Sequence, residues 1–422
     1  MDMLPLIYDT LKADKRVIPQ VFGIFDWSFG GDGIIVRQNI KTPKDLKGKK
    51  VVTSGNTPSN FFLLWLIAQS GLTPSDVVIQ YVDDAIAAKD AFIKDSKIDA
   101  CVTWSPFLYE ITDQSSKSYV DGTRLLITSK DANQLIGDCY LTRLDFLKDH
   151  PDIVENFSRS MMAGVDLLKN NSQKTYNDMA SLFKLSGGPN EAYLMTNDVH
   201  IANFPENQMF FSMDNSISAY KIFLLSMEYY KNLGSLSQNV SYEPEIVINS
   251  AIIDKIAKTK EFSLQTNNIK NSFNQQGSFN IADLESKNVV LTENLQIYFD
   301  PQRVDFDFEG NSDEIKKNKQ YLKKIAEQMN VLGTTVLKLV GHIDTTKINE
   351  FKSQGQQVYI EASAQAKLIS KKRAEFIKKL LIEKYNCDKE RIFTEGKGWD
   401  MPVDNNDQSL NRRVEVKFFS FE

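Results

Sequence analysis

The apolar positions in the first half of the chain fall into short runs that alternate with longer amphipathic stretches. Runs rich in β-branched and aromatic residues occupy positions 17–25, 32–37, 49–53, 77–82 and 98–103, which is typical of strands. Helical spacing of apolar residues follows the third and fourth runs. Such alternation predicts a parallel sheet with helices on both faces.

The helix predicted after the third strand has complete start and stop signals. Thr57 can cap it, Pro58 suits its first position, and Gly71 can close it. The free N–H groups at the start of a helix favour an anionic group, so this segment is a candidate ligand-binding element. Capping alone explains Thr57 equally well.

The spacing of apolar residues changes twice further along the chain. Residues 151–169, 172–185 and 216–233 predict helices, whereas residues 258–287 are polar and have little apolar periodicity. A second domain then follows the order β-α-β-α-β-β, with elements expected at 294–298, 313–329, 336–342, 364–385, 391–395 and 412–419. We therefore expect an α/β module over 1–257, a linker over 258–287 and a two-layer domain over 288–422.

Composition excludes several classes of protein. The chain has 422 residues and a net charge of −5, so it has no basic surplus for nucleic acid. It has three scattered cysteines and three histidines, in no spacing typical of a metal site or a disulfide framework. Cys101 is expected to be a buried strand thiol. We expect no cofactor, no metal and no catalysis.

Five short motifs occur in order in the second domain. They are YFD (298–300), GHID (341–344), SKKRA (370–374), GKG (396–398) and NRRVE (411–415). In this order they resemble OmpA-like peptidoglycan-binding domains. The resemblance implies that Asp344 and Arg373 hold a diaminopimelate side chain of the peptide stem. A residue with an ammonium and a carboxylate on one carbon suits one acid beside one base.

Other interpretations of this second site remain open. Asp344 and Arg373 could form an ordinary ion pair, and Arg412 and Arg413, on an alternating strand, could line the pocket or brace a loop. Residues 347–363 look like an insertion beside the site. Ile343 and Ala366 stand where the family usually has threonine and asparagine.

Four sequence segments in the first module resemble segments of periplasmic solute-binding proteins of ABC transporters, of the nitrate, sulfonate and thiamine-precursor type. They are GDGIIVR (31–37), IKTPKDLKGKKVV (40–52), GLTPSDV (71–77) and DACVTWSPF (99–107). The resemblance implies a two-lobed type II periplasmic-binding-protein fold, with the chain crossing between lobes near 40 and 130–140. It also implies a ligand in the cleft between the lobes.

Ligands of open α/β sheets lie beyond the carboxyl ends of the strands. The candidate residues at those ends are Trp27, Ser28, Thr57, Ser59, Asn60 and Trp104. Together they suit a small organic or oxyanion solute, held by helix N–H groups and between two indoles. The alternative for both tryptophans is simple packing.

The start of the chain differs from this family. The family's opening β-α-β unit and a signal peptide are not found in the sequence, so we expect the gene to begin upstream or the chain to be truncated. The expected compartment is the periplasm, near the outer membrane.

The first hypothesis is a solute-binding protein anchored to peptidoglycan, with an ABC-transporter permease as a possible partner. The first alternative hypothesis is a wall-anchored spacer or docking protein whose solute-binding module no longer binds a ligand. The second alternative is an enzyme, because thiamine-precursor synthases share the front fold, but Cys101 and Cys139 have no histidine nearby in sequence.

Overall fold

The computed structural model describes residues 1–132, 134–213, 215, 217–267, 289–295, 297, 299, 303–333, 335–404 and 406–420. The chain divides into two compact units, Met1–Ser272 and Phe273–Glu422, and each is described by itself. Among the described helices, none has the length and apolar character that crossing a membrane requires.

The first unit contains eight described strands and eleven described helices. The strands are β1 (Pro19–Ser28), β2 (Asp32–Arg37), β3 (Lys50–Ser54), β4 (Val78–Val82), β5 (Ala100–Trp104), β6 (Thr123–Thr128), β7 (Gly137–Arg143) and β8 (Val199–Ile201). The helices are α1 (Leu4–Leu11), α2 (Pro58–Gln69), α3 (Ala85–Lys94), α4 (Phe107–Thr112), α5 (Leu144–Asp149), α6 (Pro151–Asn170), α7 (Ser172–Phe183), α8 (Gly188–Met195), α9 (Phe204–Phe210), α10 (Ala219–Leu233) and α11 (Ala251–Ala257).

The larger sheet of this unit has the strand order β4-β3-β5-β2-β6. Strands β3, β4 and β5 are parallel, as the sequence predicts, but β2 runs antiparallel to both β5 and β6. Only residues 29–31 join β1 to β2, so the chain enters this sheet directly from the other one. The sheet is therefore mixed rather than wholly parallel.

The smaller sheet has the order β7-β1-β8, with antiparallel pairing throughout. Side chains alternate across a strand, so Asp26 and Ser28 of β1 share one face while Trp27 points to the other. This alternation decides which of the predicted ligand residues can reach solvent.

The first part of the predicted linker packs against the first unit. The ring centroids of Phe262 and Phe204 are 5.7 Å apart, and Gln265 donates to the Met162 carbonyl at 3.2 Å. Asn203 Nδ2 donates to the Thr266 carbonyl at 2.6 Å. Residues 258–267 are thus part of this unit, and residues 268–287 lie outside the described residues.

The second unit is a four-stranded sheet with helices, in the order that the sequence predicts. Its described elements are β9 (Val289–Leu295), α12 (Asp313–Val331), β10 (Thr335–His342), α13 (Ile348–Ser353), α14 (Gln356–Tyr385), β11 (Ile392–Gly398) and β12 (Val414–Ser420). The strand order is β11-β10-β12-β9. Strand β9 begins five residues before the predicted strand, and α14 begins eight residues before the predicted helix. Of the YFD motif, positions 298 and 300 lie outside the described residues.

Two glycines bring α14 onto this sheet. Gly341 of β10 and Gly396 of β11 are register partners. A Cβ at Gly341 would lie 2.0 Å from the Ser370 carbonyl oxygen, and one at Gly396 would lie 2.2 Å from the Lys367 carbonyl oxygen. Only glycine permits this approach, which fixes α14 against the strands.

Candidate functional site

The first unit contains a cavity of about 310 Å³ between its two sheets. Strand β1 contributes Asp26 and Ser28, and the start of β2 contributes Asp32. The remaining lining residues are Gly31, Pro58, Trp104, Ser105, Ile136, Asp138, Met195, Asp198 and Val199. Small-molecule sites begin at about this volume.

Asp26 is the most notable group in this cavity. Asp26 is only 5% exposed to solvent, and its carboxylate has no hydrogen-bond or ion-pair partner among the described residues. It lies opposite Asp138 in the β1–β7 register. Burial, and then the charges of Asp138 and Asp32, raise the pKa of Asp26 to about 7.

Asp32 is held in a small hydroxyl network. Ser28 Oγ donates to Asp32 Oδ2 at 2.8 Å and lies 2.7 Å from Ser129 Oγ, which accepts from the Gly30 N–H at 2.8 Å. Burial raises the pKa of Asp32 to about 7, although the Ser28 bond opposes this shift. Ser28, predicted as a ligand residue, thus lines the cavity and orients a carboxylate.

The start of α2 reaches the cavity through Pro58. Thr57 caps the helix by accepting from the Asn60 N–H at 3.4 Å, and it is not among the residues lining the cavity. Ser59 and Asn60 are fully buried behind Pro58. Proline has no N–H and Thr57 takes another, so this helix start offers an anion fewer free donors than most.

The two predicted tryptophans are placed differently. Trp104 lines the cavity and is the register partner of Asp32 in the β2–β5 pair. Trp27 is 2% exposed and packs edge-on against Phe210, with ring centroids 5.6 Å apart. The expected sandwich of two indoles is therefore not formed, because alternation along β1 directs Trp27 into the core.

The charge of the cavity also differs from the expectation of an oxyanion. Four carboxylates line it, those of Asp26, Asp32, Asp138 and Asp198, and none of the described lining residues is cationic. The Met1 α-ammonium, on which the charge of Asp138 acts, donates to the Gly137 carbonyl at 2.8 Å and lies 3.6 Å from Asp2 Oδ1. Sequence analysis did not select these acids, although a carboxylate inside the apolar strand at 19–28 is itself a signal.

In the second unit, Asp344 and Arg412 are in contact. Arg412 Nη1 donates to Asp344 Oδ2 at 3.3 Å, and the Thr346 N–H donates to Oδ1 at 3.2 Å. Burial acts to raise the pKa of Asp344, but bonds from Thr346 and Arg412 outweigh it and the pKa is lowered. Asp344 is therefore an ionised carboxylate on a partly open surface.

Arg373 lies beneath this pair. Arg373 is only 5% exposed to solvent. Its Nε donates to the Arg303 carbonyl at 3.0 Å, and its guanidinium carbon lies 5.0 Å from the Phe299 ring centroid. Burial lowers the pKa of Arg373, and the charge of Asp344 acts in the opposite direction. The charges of both Asp344 and Arg412 act on Arg373, so the three side chains form one charged cluster.

Arg413 has a different role from Arg412. It is 6% exposed, and its guanidinium donates to the Met401 carbonyl at 3.3 and 3.4 Å. One arginine thus reaches the Asp344 side chain, while the other braces the 399–411 loop.

The segment 347–363 is folded rather than loose. It forms α13 and the first part of α14. The rings of Phe351 and Tyr359 stack on the Trp399 ring, and their centroids lie 6.0 and 6.3 Å, respectively, from the Trp399 centroid. Trp399 directly follows Gly398, whose carbonyl accepts from the Ile343 N–H at 2.9 Å. The insertion therefore builds one wall beside Asp344.

Neither unit presents a metal site in its described residues. No group of three or more His, Cys, Asp or Glu side chains there is arranged to hold a metal ion. Burial raises the pKa of Cys101 far above its usual range and that of Cys139 to about 11, so both thiols stay protonated.

Comparison with known families matches both parts of the chain. Residues 18–175 match the family described as NMT1/THI5 like, and residues 307–415 match the OmpA family. The chain therefore contains an NMT1/THI5-like periplasmic-binding region followed by a C-terminal OmpA domain.

Individual relatives agree with this division. Outer membrane protein Omp38 of Acinetobacter baumannii is 31% identical over 132 residues, covering 29% of this chain and 31% of Omp38. The taurine-binding periplasmic protein of Escherichia coli K12 is 24% identical over 183 residues, covering 42% of this chain and 55% of that protein. The matches thus span about a third and about half of these relatives.

Among solved structures, the periplasmic aliphatic sulphonate binding protein SsuA of E. coli is similar in fold. The match has 21% identity and a TM-score of 0.41, and it covers 55% of this chain and 69% of SsuA.

Proposed function

We propose that this chain, an NMT1/THI5-like region joined to an OmpA domain, is an envelope solute-binding protein of the ABC-transporter type, held on peptidoglycan by its second unit. The observation that carries the proposal is the pairing of a solute-sized cavity in one unit with the Asp344, Arg373 and Arg412 cluster in the other. Both families are found in the periplasm or at the outer membrane, and we place this chain there.

The second unit supplies complementary charges for a diaminopimelate end. Asp344 is ionised and partly exposed, so it can accept from the ligand ammonium, while Arg412 and Arg373 offer donors to the ligand carboxylate. Charge-assisted bonds of this kind contribute about 1.5–3 kcal/mol each.

The proposed role of the first unit is to capture a small solute without transforming it. Its cavity lies between two sheets, the arrangement expected of a two-lobed binding protein, and we propose that the lobes close on the solute. The raised pKa values of the Cys101 and Cys139 thiols keep both protonated, so neither supplies a thiolate nucleophile. Delivery to a membrane permease is the proposed next step.

Co-sedimentation with purified peptidoglycan sacculi tests the anchoring step. The full chain is expected to sediment with diaminopimelate-type sacculi, and Asp344→Ala and Arg373→Ala are each expected to remain in the supernatant. Removing one member of a desolvated charge pair costs about 2–5 kcal/mol, which converts micromolar binding into none detectable.

Two exposed charges in the same unit provide matched controls. Glu383→Ala, near the end of α14, and Lys389→Ala, before β11, each remove a charge at the far end of this sheet and should leave sedimentation unchanged. Circular dichroism verifies that every variant is folded. Sedimentation of both site variants at the wild-type level would contradict the proposed site.

A further inference from the structure

We propose that the cavity of the first unit selects an organic cation, a small ammonium-bearing solute, in place of the anions that its fold would suggest. This inference rests on the proposed solute-binding function and names the chemical class of its ligand. Three observations carry it: an unpartnered buried carboxylate, the balance of charge around the cavity, and the position of Trp104.

The first observation is Asp26 itself. A buried carboxylate without a partner is costly, and proteins normally pair such groups or bind a cation beside them. Asp26 is 95% shielded from solvent by its surroundings, faces the cavity, and has no partner among the described residues. A ligand cation placed in the cavity would supply the missing counter-charge.

The second observation is the wider balance of charge. Asp32 and Asp138, both lining residues, raise the negative potential around Asp26, and Asp198 adds a fourth carboxylate. An anion entering this space would meet four acids and no cationic side chain among the described lining residues. Like charges in a cleft of low polarity repel strongly, whereas a cation is attracted and concentrated there.

The third observation concerns the body of the ligand. Trp104 and Met195 line the same cavity as the carboxylates, with Ile136 and Val199. An indole face attracts an alkylammonium through its quadrupole, and thioether and aliphatic groups suit its methylene or methyl groups. The combination favours an organic ammonium over a bare metal ion, which takes several oxygen ligands in a regular shell.

Three isosteric probes separate charge from shape. Choline, 3,3-dimethyl-1-butanol and isethionate each carry a hydroxyethyl group, joined respectively to a cationic, a neutral and an anionic head. Titration calorimetry of the full chain is expected to show choline binding at least tenfold more tightly than the neutral alcohol, with no binding of isethionate. Magnesium chloride is titrated as the metal probe.

Variants assign the selectivity to Asp26. Asp26→Asn keeps the size of the side chain and is expected to weaken choline binding at least tenfold, while leaving the weak alcohol signal unchanged. Asp121→Asn is the matched control, because this exposed acid precedes β6 at the end of the sheet far from Asp32. Asp26→Asn should also raise the melting temperature, which excludes misfolding as the cause of lost binding.

Four other outcomes would overturn the inference. Isethionate binding more tightly than choline would assign an anion site and leave the solute-binding function standing, and preferred binding of the alcohol would assign a neutral solute. Magnesium binding that Asp26→Asn abolishes, without choline binding, would assign a metal site. If none of the probes binds at probe concentrations of about 10 mM, the ammonium proposal is contradicted. Binding to sacculi still tests the anchoring function separately.

Discussion

Arg412 Nη1 lies 3.3 Å from Asp344 Oδ2, so the carboxylate proposed to receive a ligand ammonium is paired with an arginine of its own domain. Both side chains are partly exposed, and exposed ion pairs contribute only about 0–1 kcal/mol to folding. The pair therefore orients Asp344 at low cost and can rearrange when a ligand arrives.

The first prediction concerns Arg412. Arg412→Gln should change the free energy of unfolding of the second unit by less than about 1 kcal/mol, because the pair is exposed. Peptidoglycan binding should weaken about three- to tenfold, since one of two arginine donors is lost while Arg373 remains. Sedimentation at graded sacculus concentrations measures the change. Arg143→Gln, which breaks the exposed pair with Asp145 in the first unit, should leave binding intact.

The second prediction tests the contact between α14 and the sheet. Gly341→Ala places a Cβ 2.0 Å from the Ser370 carbonyl oxygen, so backbone must shift and the second unit should lose about 3 kcal/mol or more. Urea unfolding followed by circular dichroism measures this loss. Gly164→Ala, in the exposed face of α6 with nothing within 4 Å, should instead stabilise the first unit by about 0.5–1 kcal/mol. A small effect at Gly341 would contradict the close approach.

The third prediction follows from the pKa of Asp26, raised to about 7 in the folded chain from an ordinary value of 3.8. A raised carboxyl pKa gives stability that is complete below about pH 4 and is lost as pH rises to about 7. Asp26→Asn should therefore gain stability over the wild type progressively across this window and hold a constant advantage above it. The titratable groups that interact with Asp26 are Asp138 and Tyr140 on β7 and Asp32 on β2, and Asp198 before β8 lines the same cavity.

Melting curves at intervals from pH 4 to 8 check this prediction. The quantity compared is the difference between variant and wild type, because other acids with lowered pKa values destabilise both chains equally at low pH. Asp121→Asn, which removes an exposed acid away from the cavity, is the control for the loss of one carboxylate. A flat difference for Asp26→Asn would mean that Asp26 is ionised throughout.

The fourth prediction separates the two tryptophans of the cleft strands. Trp27→Ala should cost about 3–5 kcal/mol in unfolding free energy, because it empties a core position against Phe210. Trp104→Ala should cost much less, since Trp104 is only half-buried, yet should abolish the calorimetric choline signal. Equal stability losses in the two variants would show that Trp104 is also a core residue.

Sequence patterns predicted many elements of both units because periodicity and caps are local, but strands β6, β7 and β8 were not predicted. The Thr57 cap, the Pro58 start and the β-α-β-α-β-β order all follow from neighbouring residues. The direction of β2 did not, because it depends on which sheet the preceding strand joins. The burial of Trp27 is also a tertiary property, although alternation along β1 could have indicated that it faces away from Asp26.

The ligand sites show the same limit. Asp344 and Arg373 were predicted through motifs and remain a prediction, and the 29 positions between them include the folded segment 347–363. The acidic cavity was missed because its carboxylates come from separate strands and loops, at positions 26, 32, 138 and 198. No local pattern brings such residues together, so only the fold shows that their charges add.

The aromatic stack around Trp399 gives the chain a built-in optical reporter. The chain has four tryptophans: Trp27, Trp65 and Trp104 lie in the first unit, and Trp399 alone lies in the second. Its indole is 7% exposed and stacks between Phe351 and Tyr359 beside the Asp344 wall. In a chain with phenylalanine at the other three positions, the emission of Trp399 would register a change at the proposed peptidoglycan site alone. In a chain that keeps Trp104 and has phenylalanine at the other three positions, emission from Trp104 would report the cavity of the first unit, so that a change in either unit becomes separately visible.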